Sequence, residues 1–135
     1  MQHIESQLSV RGANKTRVAC LYFRVLGCRL LYFFGGRAHF GALTFSLNFK
    51  NTVYSFTCKR PHHRDDVVTK AAARFLAGRV TGINIVVAGI HYDNINQNQI
   101  RGILKNCTGL TKKVATPKTM PCVSSAKAGS RIAAF

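Results

Sequence analysis

A chain of 135 residues, 47% of them hydrophobic, is long enough for one domain with its own core. Its 20 lysines and arginines stand against 4 acidic residues, and the net charge of +16 makes a polyanion, first of all nucleic acid, the predicted partner. Five cysteines without any C-x-x-C pair argue against a disulfide framework or a zinc ribbon, so we expect free, partly buried thiols.

The N-terminal segment divides into a polar and an apolar part. Residues 1–16 are polar and without periodicity, which predicts an arm that orders only against a partner. Residues 17–34 are apolar and aromatic, but Arg24 and Arg29 argue against a membrane span, because each costs about 2.5–3.5 kcal/mol at the centre of a bilayer. This run predicts a helix or strand that packs on a neighbour, with organellar targeting as a second use.

The next segment predicts a β-hairpin. Apolar residues alternate over residues 43–49, and the alternation changes phase after Lys50 and Asn51, as a two-residue turn requires. Asn51 can adopt the positive φ of such a turn. The basic run at residues 59–64 cannot be core and is predicted as a loop.

Two helices are predicted in the second half. Asp65 and Asp66 precede an amphipathic run that ends at Gly82, so both suit the N-terminus of a helix. The short, apolar and largely β-branched run at residues 83–88 predicts a strand covered on both faces. Apolar residues at i, i+3, i+4 and i+7 from Ile100 predict a helix of about three turns, and residues 109–116 predict a further strand.

These elements predict an α/β fold with a mixed β-sheet, a hairpin, packed helices and extended N- and C-terminal arms. We divide the chain into an N-terminal basic and apolar extension (1–37), an α/β domain (38–117) and an extended C-terminal tail (118–135).

No group of residues predicts catalysis. The neighbours Cys58, His62, His63, Asp65 and Asp66 offer metal-ligand atoms, but their spacing fits no closed tetrahedral motif, and a basic loop with a helix cap explains them better. The carboxylates are too few for a two-metal nuclease, and no cysteine–histidine pair carries a family signature. We therefore expect no enzymatic activity, no metal and no cofactor.

Cationic and amide side chains recur at the hairpin tip, in the loop at residues 59–64 and in the loop at residues 91–98, where they suit phosphates and base edges of folded RNA. A solvated loop that caps the following helix at Asn96 or Asn98 is the alternative for the last segment. The predicted RNA-binding residues are Lys50, Asn51, Thr52, Lys59, Arg60, His62, His63, Arg64, Arg74, His91, Asn94, Asn96, Arg101, Lys112, Lys113, Lys118, Lys127 and Arg131.

The hairpin at residues 48–57, with its Phe-x-Asn-Thr turn, carries the most specific likeness to a known family. An alanine-rich helix and strand at residues 71–88, Ile100-Arg101 and the Thr116-Pro117 pair before Cys122 add to it. Residues 38–122 thereby resemble the universal small-subunit ribosomal protein eleven family. The basic loop is shortened here to residues 59–66 and the basic tail to Lys127 and Arg131, as in a diverged organellar member.

The resemblance implies a ribonuclease-H-like ribosomal protein fold and a non-catalytic constituent of the small-subunit platform. It implies binding to small-subunit rRNA near the mRNA exit path, beside neighbouring platform proteins, in a mitochondrial ribosome or another organellar or cytoplasmic one. The alternatives are a binder of 5S-type RNA like large-subunit ribosomal protein eighteen, and a membrane-associated organellar protein that uses residues 17–34.

Overall fold

A computed structural model describes residues 4–115. Within them the chain forms one six-stranded sheet and two helices, with a 3-10 turn at Asn14–Thr16. In chain order the elements are β1 (Glu5–Arg11), β2 (Val18–Val25), β3 (Cys28–Gly36), β4 (Ala42–Phe49), β5 (Thr52–Lys59), α1 (Asp66–Ala77), β6 (Gly82–His91) and α2 (Gln97–Ala115).

The strands lie in the order β1-β2-β3-β6-β4-β5. Strands β1, β2 and β3 form an antiparallel meander, β3 and β6 are parallel, and β4 is antiparallel to both β6 and β5. The predicted α/β class with a mixed sheet is therefore confirmed. The predicted hairpin is confirmed as β4 and β5, with positive φ at Lys50 (50°) and Asn51 (62°).

Both helices pack on one face of the sheet. Leu31 and Phe33 of β3 and Val86 and Ala88 of β6 alternate onto this face and are fully buried against them. Helix α1 lies over β4 and β6, and α2 lies over β1 and β2. The apolar stripes at helical spacing bury themselves on this strand face, and this burial is the main driving force for the fold.

A polar seam joins α1 to β4. The buried Thr44 hydroxyl donates to Thr69 Oγ1 at 2.9 Å, and the Ser46 hydroxyl donates to the Ala73 carbonyl at 3.1 Å. The Asn48 amide donates to the Ala77 carbonyl at 2.6 Å. Because these bonds are directional, they fix the position of α1 along β4 in a way that apolar contact alone would not.

The opposite face of the sheet, called here the open face, carries apolar residues of every strand, and neither helix covers it. Its side chains include Leu8, Leu21, Phe23, Leu30, Tyr32, Phe34, Leu43, Phe45, Phe56, Ile85 and Val87, as the strand register shows. Leu8, Phe23 and Phe56 remain exposed. The prediction that the central strand β6 is covered on both faces is thus met on the helix face only.

The N-terminal prediction is corrected. Residues 5–11 are not an arm, because β1 pairs with β2 along its whole length, with Glu5 opposite and 3.5 Å from Arg24. The apolar run after them is two strands joined at Leu26 and Gly27, both with positive φ. The boundary set at residue 37 falls between two strands of one sheet. In the part of the chain that the structure describes, no helix is long and apolar enough to cross a membrane.

The C-terminal prediction is corrected as well. Residues 109–115 are not a strand, because α2 continues to Ala115 and buries Leu110 and Thr111 on the same stripe as Ile103. Helix α1 ends at Ala77 rather than at Gly82, which begins β6 at φ 102°. The predicted tail at residues 118–135 lies outside the described residues.

Candidate functional site

One end of the sheet brings together five segments of the chain. The parallel strands β3 and β6 finish there, with Gly36 opposite His91, while β4 begins, β5 ends and α1 begins at the same end. The connection at residues 37–41 crosses the end of β6, held by Arg37 N–H to the His91 carbonyl (3.0 Å) and Gly41 N–H to the Ala88 carbonyl (2.8 Å). Ends of parallel strands and helix N-termini are common places for binding sites in α/β folds.

Two glycines let this connection lie close to its neighbours. A side chain at Gly89 would collide with the His39 carbonyl, and one at Gly41 would collide with the Asp65 carboxylate. Glycine at both positions therefore allows His39 and Asp65 to approach each other across the end of the sheet.

His39, His63 and Asp65 form what we call the histidine cluster. His39 Nε2 lies 3.1 Å from His63 Nδ1 and 3.4 Å from Asp65 Oδ2, and His63 Nδ1 lies 3.5 Å from the same oxygen. Asp65 is 7% exposed and both histidines are half-buried. Imidazole nitrogens and a carboxylate oxygen are groups that can hold a metal ion, move a proton or bind a polar ligand.

A further hydrogen bond orients each of two residues of the histidine cluster, His39 and Asp65. His39 Nδ1 lies 3.0 Å from the Arg37 carbonyl, which can only accept, so this nitrogen carries the proton. The Ile90 N–H donates to Asp65 Oδ1 at 3.0 Å, which leaves Oδ2 facing the histidines. Asp65 occupies the predicted N-cap position of α1, but its side chain makes no capping bond.

Beside the cluster, Asp93 joins Arg37 and His91. Asp93 Oδ1 accepts from Arg37 at 2.7 Å and lies 3.0 Å from His91 Nε2. The hydrogen bond from His91 and the charge of Arg37 lower the pKa of the Asp93 carboxyl. The His91 ring meets the His39 ring edge-on at 6.4 Å between centroids, so this exposed group borders the cluster.

Three aromatic rings, called here the aromatic patch, adjoin the cluster on the open face. The rings of Tyr32 and Phe34 stack at 5.1 Å between centroids, and Phe40 lies 5.2 Å from Tyr32 while 70% exposed. The Tyr32 hydroxyl donates to the His39 carbonyl at 2.8 Å. Burial raises the pKa of this hydroxyl, and the charge of Asp65 raises it further. A flat apolar ring system could stack here within reach of polar groups.

An apolar concavity of about 320 Å³ lies between the helices. Val67 and Phe75 of α1 face Leu104 and Cys107 of α2 across it. Burial raises the pKa of the Cys107 thiol to about 12, so this thiol stays protonated. The groove offers apolar contact, whereas the sheet end offers polar groups as well.

The structure does not bring the predicted site residues onto one surface. Lys50, Asn51 and Thr52 are exposed at the tip of the hairpin, about 25 Å along β4 from the histidine cluster. Arg74 lies exposed on α1, and the predicted residues Arg101, Lys112 and Lys113 lie exposed on α2.

The loop before α1 lies at the histidine cluster. His63 belongs to the cluster, while Arg60, His62 and Arg64 are exposed around it. Lys59 lies 3.8 Å from Asp66, whose pKa is lowered mainly by the hydrogen bond from Lys70 at 3.1 Å.

The remaining predicted residues follow β6 or fall in the tail. His91 borders the cluster, and Asn94 is exposed in the loop. Asn96 caps α2, because its side chain accepts from the Gln99 N–H and the Gln99 side chain accepts from the Asn96 N–H, both at 2.9 Å. Lys118, Lys127 and Arg131 lie outside the described residues.

Sequence reasoning missed His39. It grouped His63 and Asp65 with their sequence neighbours, but the fold replaces those neighbours with a histidine 24 residues upstream. No local spacing marks His39. Only the strand register, which places the ends of β3 and β6 beside the start of β4, could have indicated it.

This fold is shared with a solved structure. The chain is similar to a structure described as the crystal structure of a novel chaperone complex for yeast 20S proteasome assembly, with a TM-score of 0.58, 10% identity, and coverage of 82% of this chain and 96% of that one. At this identity the likeness shows the fold alone. No curated protein matches the chain.

A match to a protein-family model identifies the family of this chain. The model of the prenylated flavin chaperone LpdD-like domain matches residues 12–118, and the chain belongs to this family. Its matched span includes the end of β3, the histidine cluster and both helices.

This match overturns the ribosomal assignment. The resemblance to small-subunit ribosomal protein eleven is wrong, and with it the rRNA-binding role in translation, the platform-protein and mRNA partners and the ribosomal location. The large-subunit and membrane-associated alternatives do not fit either. The physical reason is that the residue pattern at residues 48–57 is the one that a two-residue turn with positive φ requires. Unrelated sheets contain the same kind of turn and therefore share this pattern.

Proposed function

We propose that this protein is a non-enzymatic chaperone that binds a prenylated flavin and delivers it to an enzyme that uses it. The observation that carries the proposal is the family match over residues 12–118. The described residues also suit such a cargo at the aromatic patch, as the following contacts indicate.

A prenylated flavin combines a flat ring system and an apolar prenyl group with polar ring edges. The exposed Phe40 ring beside the Tyr32 and Phe34 stack offers an apolar surface for the ring system. The histidine cluster supplies hydrogen-bonding groups directly beside the patch, because the Tyr32 hydroxyl bonds the His39 carbonyl. These are the contacts that small-molecule sites combine: apolar walls with a few placed polar groups.

The cationic side chains near the patch suit the phosphate of a flavin nucleotide. Arg37 is exposed just before His39, and the Arg60 N–H donates to the carbonyl of Gly41, the residue after Phe40, at 2.9 Å. A guanidinium binds phosphate through paired hydrogen bonds. The net charge of +16, which first indicated nucleic acid, is equally compatible with a smaller anionic cargo.

Delivery requires that a second protein reach the cargo. The aromatic patch belongs to the open face, whose exposed residues Phe23 and Phe56 extend apolar surface away from it. Contiguous exposed apolar surface marks interaction sites in folded proteins. We place the receiving enzyme on this face.

Binding is tested by anaerobic titration of the purified protein with prenylated flavin mononucleotide, followed by flavin fluorescence. We expect saturable binding that Phe40→Ser weakens by roughly 5- to 150-fold, since stacking on an aromatic side chain is worth about 1–3 kcal/mol. Phe49→Ser is the matched control, because Phe49 is 56% exposed at the far end of β4. We expect mass spectrometry to recover the flavin unchanged after incubation.

Absence of binding by the native protein would contradict the proposal. Equal losses in Phe40→Ser and Phe49→Ser would remove the aromatic patch as the binding place. Conversion of the flavin during incubation would overturn the non-enzymatic part.

A further inference from the structure

We propose that His39, His63 and Asp65 bind a divalent first-row transition-metal ion, with zinc as the first candidate. This site does not depend on the flavin proposal, because it follows from the geometry of the three side chains alone. The sequence alone led us to expect no metal. That expectation considered only ligands that are close together in the sequence, and His39 is not among them.

The separations of the three ligand atoms fit tetrahedral coordination. Zinc binds histidine nitrogen at about 2.0–2.1 Å, so two ligands on a tetrahedron lie about 3.3–3.4 Å apart. The three measured distances, 3.1, 3.4 and 3.5 Å, lie around this value. A cation placed between the three atoms can reach all of them without moving the backbone.

With both imidazoles neutral, the hydrogen bonds within the cluster leave acceptor lone pairs unsatisfied. His39 Nδ1 carries its proton toward the Arg37 carbonyl, so in the neutral ring Nε2 is an acceptor. This nitrogen faces Asp65 Oδ2, another acceptor, at 3.4 Å. His63 Nδ1 has at most one proton to share between His39 Nε2 and Asp65 Oδ2. A metal cation would accept a lone pair from each of these three atoms.

The surroundings also match those of a metal site. The Arg37 carbonyl fixes the tautomer of His39, and the Ile90 N–H holds Asp65 Oδ1, so two ligands are oriented from behind. Gly41 leaves the space that the Asp65 carboxylate occupies. The half-buried histidines leave a path from solvent and a fourth position for water or an anionic ligand.

The donor set favours particular metals. Two imidazoles and one carboxylate suit zinc and iron(II), whereas magnesium and calcium prefer oxygen ligands throughout. The nearby Arg37 and His91 side chains are each paired with Asp93, and this pairing reduces the repulsion between the Arg37 charge and a metal ion.

The test is equilibrium binding of zinc to chelator-treated full-length protein, measured by competition with a chromophoric chelator. We expect one ion per chain in the native protein. Since loss of a group that merely orients a ligand typically costs 10- to 100-fold, His63→Gln and Asp65→Asn should weaken binding by more than about 100-fold. His62→Gln is the control, because His62 is the exposed neighbour that lies outside the cluster.

Two further measurements keep the result unambiguous. Cobalt(II) as a spectroscopic probe should show nitrogen and oxygen ligation without a thiolate charge-transfer band, which separates the cluster from the exposed Cys58. Circular dichroism of the metal-free variants should match that of the native protein, because Asn keeps the Oδ1 acceptor for Ile90. Parallel titrations with iron(II) and magnesium identify the metal class.

No binding to the native protein, a thiolate band from cobalt(II), or equal losses in His62→Gln and His63→Gln would overturn the site. Preference for magnesium over zinc would also contradict the assigned donor chemistry.

Discussion

At the scale of single residues, Asp65 connects the sequence pattern to the site. Its place before an amphipathic run predicted an N-cap, and it does occupy that position. Its side chain instead bonds the Ile90 N–H and faces His39 and His63. Local pattern could locate the helix start, but two of these three partners, Ile90 and His39, are 25 residues downstream and 26 upstream, and only the tertiary fold brings them to Asp65.

Cysteine reactivity gives a residue-scale prediction. Burial raises the pKa of both Cys20 and Cys107 to about 12, so almost none of either thiol is thiolate at mildly alkaline pH. We expect iodoacetamide to modify the exposed Cys58 first and to leave Cys20 and Cys107 unmodified until denaturant is added, as peptide mass spectrometry would show. Modification of Cys20 at the rate of Cys58 in the folded protein would contradict this burial.

At the scale of elements, we predict that the hydrogen bonds of the polar seam between β4 and α1 stabilise the folded protein. Ser46→Ala removes the bond to the Ala73 carbonyl and leaves the buried Asn84 amide, 3.4 Å from the Ser46 hydroxyl, without its partner. We expect a loss of about 1–3 kcal/mol in the free energy of unfolding, measured in urea. Ser55→Ala is the control, because Ser55 pairs with Ser46 across the hairpin but is exposed; equal effects of the two changes would argue against the seam.

Periodicity predicted the elements that it marks clearly and missed the others. The β4–β5 hairpin, β6 and both helices follow from alternation or helical spacing, and the turn at Asn51 follows from its residue type. The turn between β2 and β3 was missed because Leu26 takes a positive φ, which a leucine does not signal. The pattern of residues 109–115 fits either element, because a short segment with few apolar residues does not distinguish strand from helix.

At the scale of the whole molecule, charge was the least specific signal. The value of +16 indicated an anionic partner but could not choose between RNA and a phosphorylated small molecule. The exposed cations are spread over the hairpin tip, α1, α2 and the loop before α1 rather than gathered in one groove. Neither the histidine cluster nor the aromatic patch was predicted, because each joins residues from separate strands and loops.

Acid stability gives a prediction at this scale. Lys70 lowers the pKa of Asp66 and His91 lowers that of Asp93, so each folded-state pKa lies below the ordinary 3.8. The stability that these carboxylates contribute is present above 3.8 and is lost as the pH falls through the lowered values. Urea midpoints measured from about pH 7 to about pH 2.5 should therefore decline most steeply below pH 3.8, and less steeply in Asp66→Asn. An identical decline in that variant would contradict the role of Asp66.

The account as a whole is tested most directly by transfer of the cargo. The protein loaded with prenylated flavin mononucleotide is mixed anaerobically with the cofactor-free form of an enzyme that depends on this flavin, and the appearance of enzyme activity is followed against the same amount of free cofactor. We predict faster and more complete activation by the loaded native protein than by free cofactor, and a loss of this advantage in Phe40→Ser but not in Phe49→Ser. Activation no faster than by free cofactor, or retention of the flavin by the native protein in the presence of the enzyme, would contradict the proposed chaperone function.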